Sequence, residues 1–153
     1  MSADWIVKDL ARFCPANKVS SHGRPGTWHR VGYRTREWSG TMIMANPDAR
    51  APAIEIPLPL RGRYDIFLGL YKDYGDRLKV RLSSDRCYER LAYSYPHGKT
   101  FSFQDVFWRT VELTGKEKIR IKQDGDIRAA VGYLLARRAA KPAPAERQYL
   151  GLT

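Results

Sequence analysis

The sequence predicts an all-β chain folded as an antiparallel β-sandwich, and three observations predict it. Residues 53–82, AIEIPLPLRGRYDIFLGLYKDYGDRLKVRL, hold three runs in which apolar and polar residues alternate. A period of two sends successive side chains to opposite faces, so each run reads as a strand with one buried face. The runs are separated by Arg61-Gly62 and by residues 73–76, which carry turn-forming types. No stretch of comparable length alternates at helical spacing.

Taken in order, residues 4–13 allow a short helix with Trp5, Ile6, Leu10 and Phe13 partly on one face, or equally a strand or an irregular arm. Residues 20–32 are rich in Gly and Ser and read as a loop, with Pro25-Gly26 as its turn. Residues 33–44 read as one or two strands around a break at Ser39-Gly40, followed by a loop over 46–52. In the first alternating run Ile54, Ile56, Leu58 and Leu60 share one face and Glu55, Pro57 and Pro59 the other. Each proline lacks a ladder donor, which suits an edge strand. Tyr64, Ile66, Leu68 and Leu70 repeat the pattern, and Leu78, Val80 and Leu82 close it. A strand over 86–91, a loop over 92–100 and a long bent strand or strand pair over 101–113 follow. Ile119 and Ile121 mark a further strand, 124–126 (DGD) a hairpin turn, and 127–135 the last strand.

A length of 153 residues suits one domain with a single core. The expected division is a sandwich module over 1–137 and a linker or tail over 138–153, where KPAPA favours extended chain. Such a linker points toward a further domain. No run of about 18 apolar residues exists, so no membrane-spanning helix is predicted. The first residues lack the basic-then-apolar order of a signal peptide. Cys14 and Cys87 allow one disulfide or two free thiols, and they fit no metal spacing.

The formal net charge of +11 raises the question of a polyanionic partner. Most cations alternate with apolar residues, as in Arg77, Lys79 and Arg81 or Lys118, Arg120 and Lys122, which reads as a solvated outer sheet face. Residues 20–36, SSHGRPGTWHRVGYRTR, differ in kind. They join Trp28 and Tyr33 to Arg24, Arg30, Arg34 and Arg36, with His22 and His29 and no carboxylate. Trp and Tyr offer flat apolar faces, and Arg offers a planar fork of donors. That combination suits a sugar ring stacked on an indole with its hydroxyl or acidic groups held by guanidinium. It also suits single-stranded nucleic acid; the plainer alternative is that Trp28 covers the sandwich end and the arginines are solvated. Tyr74, in the 72–76 turn, is a further binding candidate, whereas Trp38 and Trp108 read as core residues and Phe107 as outward-facing. The ligand-binding candidates are therefore Trp28, Arg30, Tyr33, Arg34 and Tyr74.

Residues 60–71 (LRGRYDIFLGLY), 105–123 (DVFWRTVELTGKEKIRIKQ) and 129–138 (AAVGYLLARR) resemble jelly-roll, galactose-binding-like modules. They are similar to the non-catalytic β-sandwich modules beside glycoside-hydrolase-type catalytic domains of bacterial secreted proteins. Gly62, Tyr64, Ile66, Gly69 and Leu70 match one strand of that pattern, and Phe107, Trp108, Leu113, Thr114 and Gly115 its partner. Gly132 stands where an acidic residue is expected before Tyr133, so no role of that carboxylate carries over. The resemblance implies a carbohydrate-binding or accessory module, a secreted or periplasmic setting, and a catalytic domain C-terminal to this chain.

No motif of metal-assisted or nucleophilic catalysis appears: the three histidines lack HExxH spacing, and GxSxG, P-loop and GxGxxG patterns are missing. Asp124 and Asp126 could contribute to a calcium site, but a hard cation needs six or more oxygens, and such pairs commonly just form turns. The expectation is a non-enzymatic module without cofactor or metal, whose partner is a glycan such as an acidic polysaccharide. The rival expectations are a purely structural interdomain module and, third, a basic nucleic-acid-binding domain.

Overall fold

A computed structural model describes residues 4–21, 23–34, 39–71, 77–91 and 103–140. The described chain is all-β, with two single-turn 3-10 segments, η1 (Leu10–Phe13) and η2 (Ala16–Lys18), as its helical part. Its strands are β1 (Trp5–Val7), β2 (Val19–Ser20), β3 (Trp28–Arg34), β4 (Ser39–Ala45), β5 (Ile54–Pro57) and β6 (Arg61–Tyr71), then β7 (Leu78–Leu82), β8 (Glu89–Arg90), β9 (Phe103–Thr114), β10 (Lys118–Gln123), β11 (Ala129–Val131) and β12 (Tyr133–Arg138).

They form three four-stranded sheets, ordered β1-β12-β6-β9, β5-β10-β7-β8 and β11-β4-β3-β2. All pairings are antiparallel except the short β2–β3 pair. The first and third sheets meet at Gly132, where β11 passes into β12, and the Gly132 amide donates to the Gly69 carbonyl of β6 at 2.8 Å. The β5-β10-β7-β8 sheet lies opposite. Ile54, Ile56, Leu78, Val80, Ile119 and Ile121 from it pack in one cluster with Ile66, Leu68, Leu70, Leu134 and Ile43 from the other layer. That shared core is what makes the two layers a sandwich.

The three alternating runs become β5, β6 and β7, with the predicted apolar face buried. β5 lies at a sheet edge, as Pro57 and Pro59 require. Of the two alternatives over 101–113, a single long strand is found, Phe103–Thr114, and its register shifts opposite Ile66/Phe67. Phe107 faces outward at 51% exposure, and Trp108 packs against the core.

Of the three alternatives for the N-terminal arm the irregular one is found: β1 pairs with β12, and η1 then buries Leu10 and Ala11 against the core. Three local expectations are corrected. The loop expected over 20–32 ends at Thr27, because β3 begins at Trp28. Within it Arg24-Pro25-Gly26-Thr27 is a tight turn with Gly26 at φ 80°, a conformation that favours glycine. The 124–126 turn does not close a hairpin. β10 pairs with β5 and β7 while β11 pairs with β4, so the chain crosses there between layers. The final strand is interrupted at Gly132 for a related reason, since it changes neighbours from β4 to β1. Both cysteines are free, Cys14 half-buried and Cys87 exposed. Burial pushes the Cys14 thiol up to about 11, with Arg30 acting against the shift and Asp9 adding to it.

Candidate ligand-binding face

The five residues expected to bind a ligand do not form one surface. Trp28 is fully buried, packs in the main core and donates its indole N–H to the Pro52 carbonyl at 2.9 Å. It presents no face for a sugar ring, and its expected stacking role is corrected to a core one. The cause is strand position: β3 starts at Trp28, and its Ala45 partner faces inward beside it. Arg30 is exposed but its Nε and Nη2 meet both oxygens of Asp9, at 3.0 and 3.1 Å. The carboxylate missing from residues 20–36 thus arrives from η1's flank. Tyr33 and Arg34 sit in β3 opposite Gly40 and Ser39, but their side chains lie outside the described residues. Tyr74, Trp38, His22 and Arg36 lie outside them entirely.

His29 is half-buried on β3 opposite Met44. Burial lowers its pKa from the ordinary imidazole value, a backbone hydrogen bond at Met44 acts against that, and nearby Arg128 adds to it. An imidazole kept neutral beside a guanidinium suits a packed position better than an anion contact.

The outer face of the β5-β10-β7-β8 sheet is where charge concentrates. Ile119, Ile121 and Gln123 of β10 and Leu78, Val80 and Leu82 of β7 point inward, so Lys118, Arg120 and Lys122 and Lys79 and Arg81 point outward. Antiparallel register then sets Lys122 opposite Lys79 and Lys79 opposite Arg90, forming one row of three cations. The next row holds Glu55, Arg120 and Arg81. Rows on one face lie about 6.8 Å apart and neighbours within a row about 4.8 Å apart. Like charges directly opposite each other repel and weaken the pair.

Two carboxylates temper the repulsion. Asp124 takes Lys79 at 3.1 Å and Arg90 on its other oxygen at 2.5 Å. Glu55 takes Arg120 at 2.6 Å and Lys118 at 3.2 Å, and these two cations, Arg120 first, lower its pKa from the ordinary carboxylate value. Asp124 is therefore engaged as a counter-ion, and among the described residues no cluster of metal-ligating side chains exists. Arg81 and Lys122 both lie against the ring of Tyr88, at 5.2 and 4.1 Å from its centroid. The alternating cations were legible in the sequence as an outward face. Their alignment into rows was not, because register between β10, β7 and β8 is a property of pairing.

The opposite outer face differs. Ile6, Leu135, Phe67 and Phe107 stand in register across β1, β12, β6 and β9. Phe67 and Phe107 meet edge to face at 5.6 Å, and Arg137 lies over Phe67. Ile6 and Phe107, at the two ends of this apolar row, are 41% and 51% exposed. Among the described residues, no helix is long and apolar enough to cross a membrane. No protein-family profile and no curated protein sequence matches the chain.

Proposed function

We propose that the chain is a non-catalytic β-sandwich module that binds an acidic polysaccharide through the outer face of the β5-β10-β7-β8 sheet, as the accessory part of a larger carbohydrate-active protein. The observation that carries the reading is the row Lys122–Lys79–Arg90 beside Arg120 and Arg81. Two carboxylates, Asp124 and Glu55, offset only part of the charge of these rows, and an anionic chain lying over them would turn the remaining repulsion into attraction. The sheet backbone is already ordered, so the ordering lost on binding is confined to side chains. The ring of Tyr88 is occupied by Arg81 and Lys122 and so is not open to a stacking base, which disfavours single-stranded nucleic acid at this point of the face. Affinity electrophoresis through gels containing neutral or acidic polysaccharides tests this. Retardation by an acidic polysaccharide is expected; no retardation by any of them overturns it.

A second reading, a structural interdomain role, draws on the apolar row Ile6–Leu135–Phe67–Phe107. Burying its exposed ends against a neighbouring domain would remove apolar surface from water. In the larger protein, Ile6→Ser with Phe107→Ser should then lower the stability of the adjoining domain while leaving polysaccharide retardation unchanged. An unaltered melting profile would argue against it.

A further inference from the structure

A small cleft sits at the end of the cationic row, walled by Arg50, Lys79, Lys122, Asp124 and Gly125, and its volume is about 160 Å³. Since a water takes up about 30 Å³ in the liquid, this holds one small charged group with a few waters, not a length of polymer. The cleft has a fixed floor. Gln123 is 3% exposed, its Oε1 accepts the Ala51 amide at 2.7 Å, and its Nε2 donates to the Ile127 carbonyl at 2.8 Å. One buried side chain thus ties the loop carrying Arg50 to the crossover carrying Asp124 and Gly125. The Asp48 amide donates to the Asp126 carbonyl at 2.8 Å, which fastens the same two segments again, and the Asp124 amide donates to the Arg77 carbonyl at 2.9 Å, which ties the crossover to the start of β7.

Within these walls the charges are unequal. The single carboxylate, Asp124, is already shared between Lys79 and Arg90. Arg50 and Lys122 bring two further cations, and Lys122 rests against Tyr88, which orients its ammonium. Three cationic residues around one doubly paired carboxylate leave an excess of positive charge at the cleft, and guanidinium and ammonium groups together are suited to oxyanions.

Resting on the polysaccharide reading above, we infer that this cleft is the subsite for one anionic substituent of the ligand, a sulfate ester or a uronate carboxylate, held by Arg50 and Lys122 with Lys79 behind them. The rest of the chain would run along the row toward Arg90 and over Arg81 and Arg120. The cleft would then make the module a reader of substituent position, since only a chain presenting its charge at the right spacing could fill the cleft and the row together.

The test uses dextran sulfate, polygalacturonate and unmodified dextran in affinity gels, together with the melting temperature in added sodium sulfate at constant ionic strength. Arg50→Gln and Lys122→Gln should each weaken retention by the acidic polymers at least five-fold and reduce the sulfate-dependent rise in Tm to the general part that sulfate, excluded from protein surfaces, gives any folded chain. Arg137→Gln, which removes charge from the outer face of the opposite layer beside Phe67, should change retention less than two-fold. At matched charge per sugar, stronger retention by dextran sulfate identifies the substituent as sulfate, and stronger retention by polygalacturonate as carboxylate. If acidic polymers bind and Lys122→Gln weakens them but Arg50→Gln behaves like the control, the cleft inference falls while the polysaccharide reading stands; if both behave like the control, the sheet face falls as well. Should no polysaccharide bind, that reading falls, and a sulfate response in both cleft variants as large as in wild type overturns the cleft as well. Tighter binding of single-stranded DNA than of either acidic polymer at equal salt overturns the ligand class.

Discussion

The ring of Tyr133 fills the space that a side chain at Gly69 would need. The two residues face each other across the β12–β6 ladder, and a methyl group built on Gly69 would overlap the ring. The ring continues over β6 to β9, where its hydroxyl donates to the Asp105 carboxylate. Gly69→Ala must displace a buried aromatic ring together with that hydrogen bond. Overpacking of this kind costs about 1–3 kcal/mol, and Tm should fall by about 2–4 °C for each of them. A Tm equal to wild type would show that the ring has somewhere else to go.

Tyr133 also sets a high-pH limit. Burial first, then the hydrogen bond and charge of Asp105, push its pKa upward. A group whose folded pKa lies above its unfolded value favours folding fully below the unfolded pKa, about 10 for tyrosine. That contribution is lost as pH rises from there toward the folded value. Tyr133→Phe should therefore lose less stability than wild type on going from pH 9 to pH 11, measured by urea unfolding; parallel losses in the two proteins would refute the assignment.

Trp28→Phe separates a core role from a binding role. It removes the indole N–H bond to Pro52 and leaves a small void in the core. An expected loss of about 1–3 kcal/mol follows from the missing hydrogen bond and the lost packing together. The folded fraction should still be retarded by acidic polysaccharide as wild type is. Loss of retardation with unchanged stability would return Trp28 to the ligand site.

Lys122→Gln should be close to neutral for folding. It relieves repulsion with Lys79, worth about 0.2–1 kcal/mol, but loses the contact with Tyr88, worth about 0.5–1 kcal/mol at an exposed site. Because the relieved term is screened by salt, the rise in wild-type Tm between about 10 mM and 0.3 M NaCl should be smaller in the variant. A steeper rise in the variant would contradict the repulsive row. Near-neutral stability is also what makes this substitution a clean probe of binding.

Much of the fold was legible because alternation is local. Ile54, Ile56, Leu68, Val80 and Ile121 each declare their face through their immediate neighbours, and the turn at Pro25-Gly26 declares itself through backbone chemistry. The binding candidates were less legible for the same reason. Trp28 and Arg30 stand in one segment rich in arginine and aromatics, yet what occupies each comes from elsewhere, Pro52 for one and Asp9 for the other.

By itself the sequence determined the class of fold, the buried face of each central strand, the edge position of β5 and the outward direction of the alternating cations. Side-chain periodicity and proline's missing donor act within a few residues, so no partner strand need be known. The tertiary structure alone decided that Lys122, Lys79 and Arg90 form a row, that Gln123 floors a cleft beside them, that the 124–126 turn crosses between layers, and that Trp28 is core. Each of these depends on which strand lies next to which and in what register. Pairing across the chain is selected by the whole core at once, so it leaves no signature in any single stretch of residues.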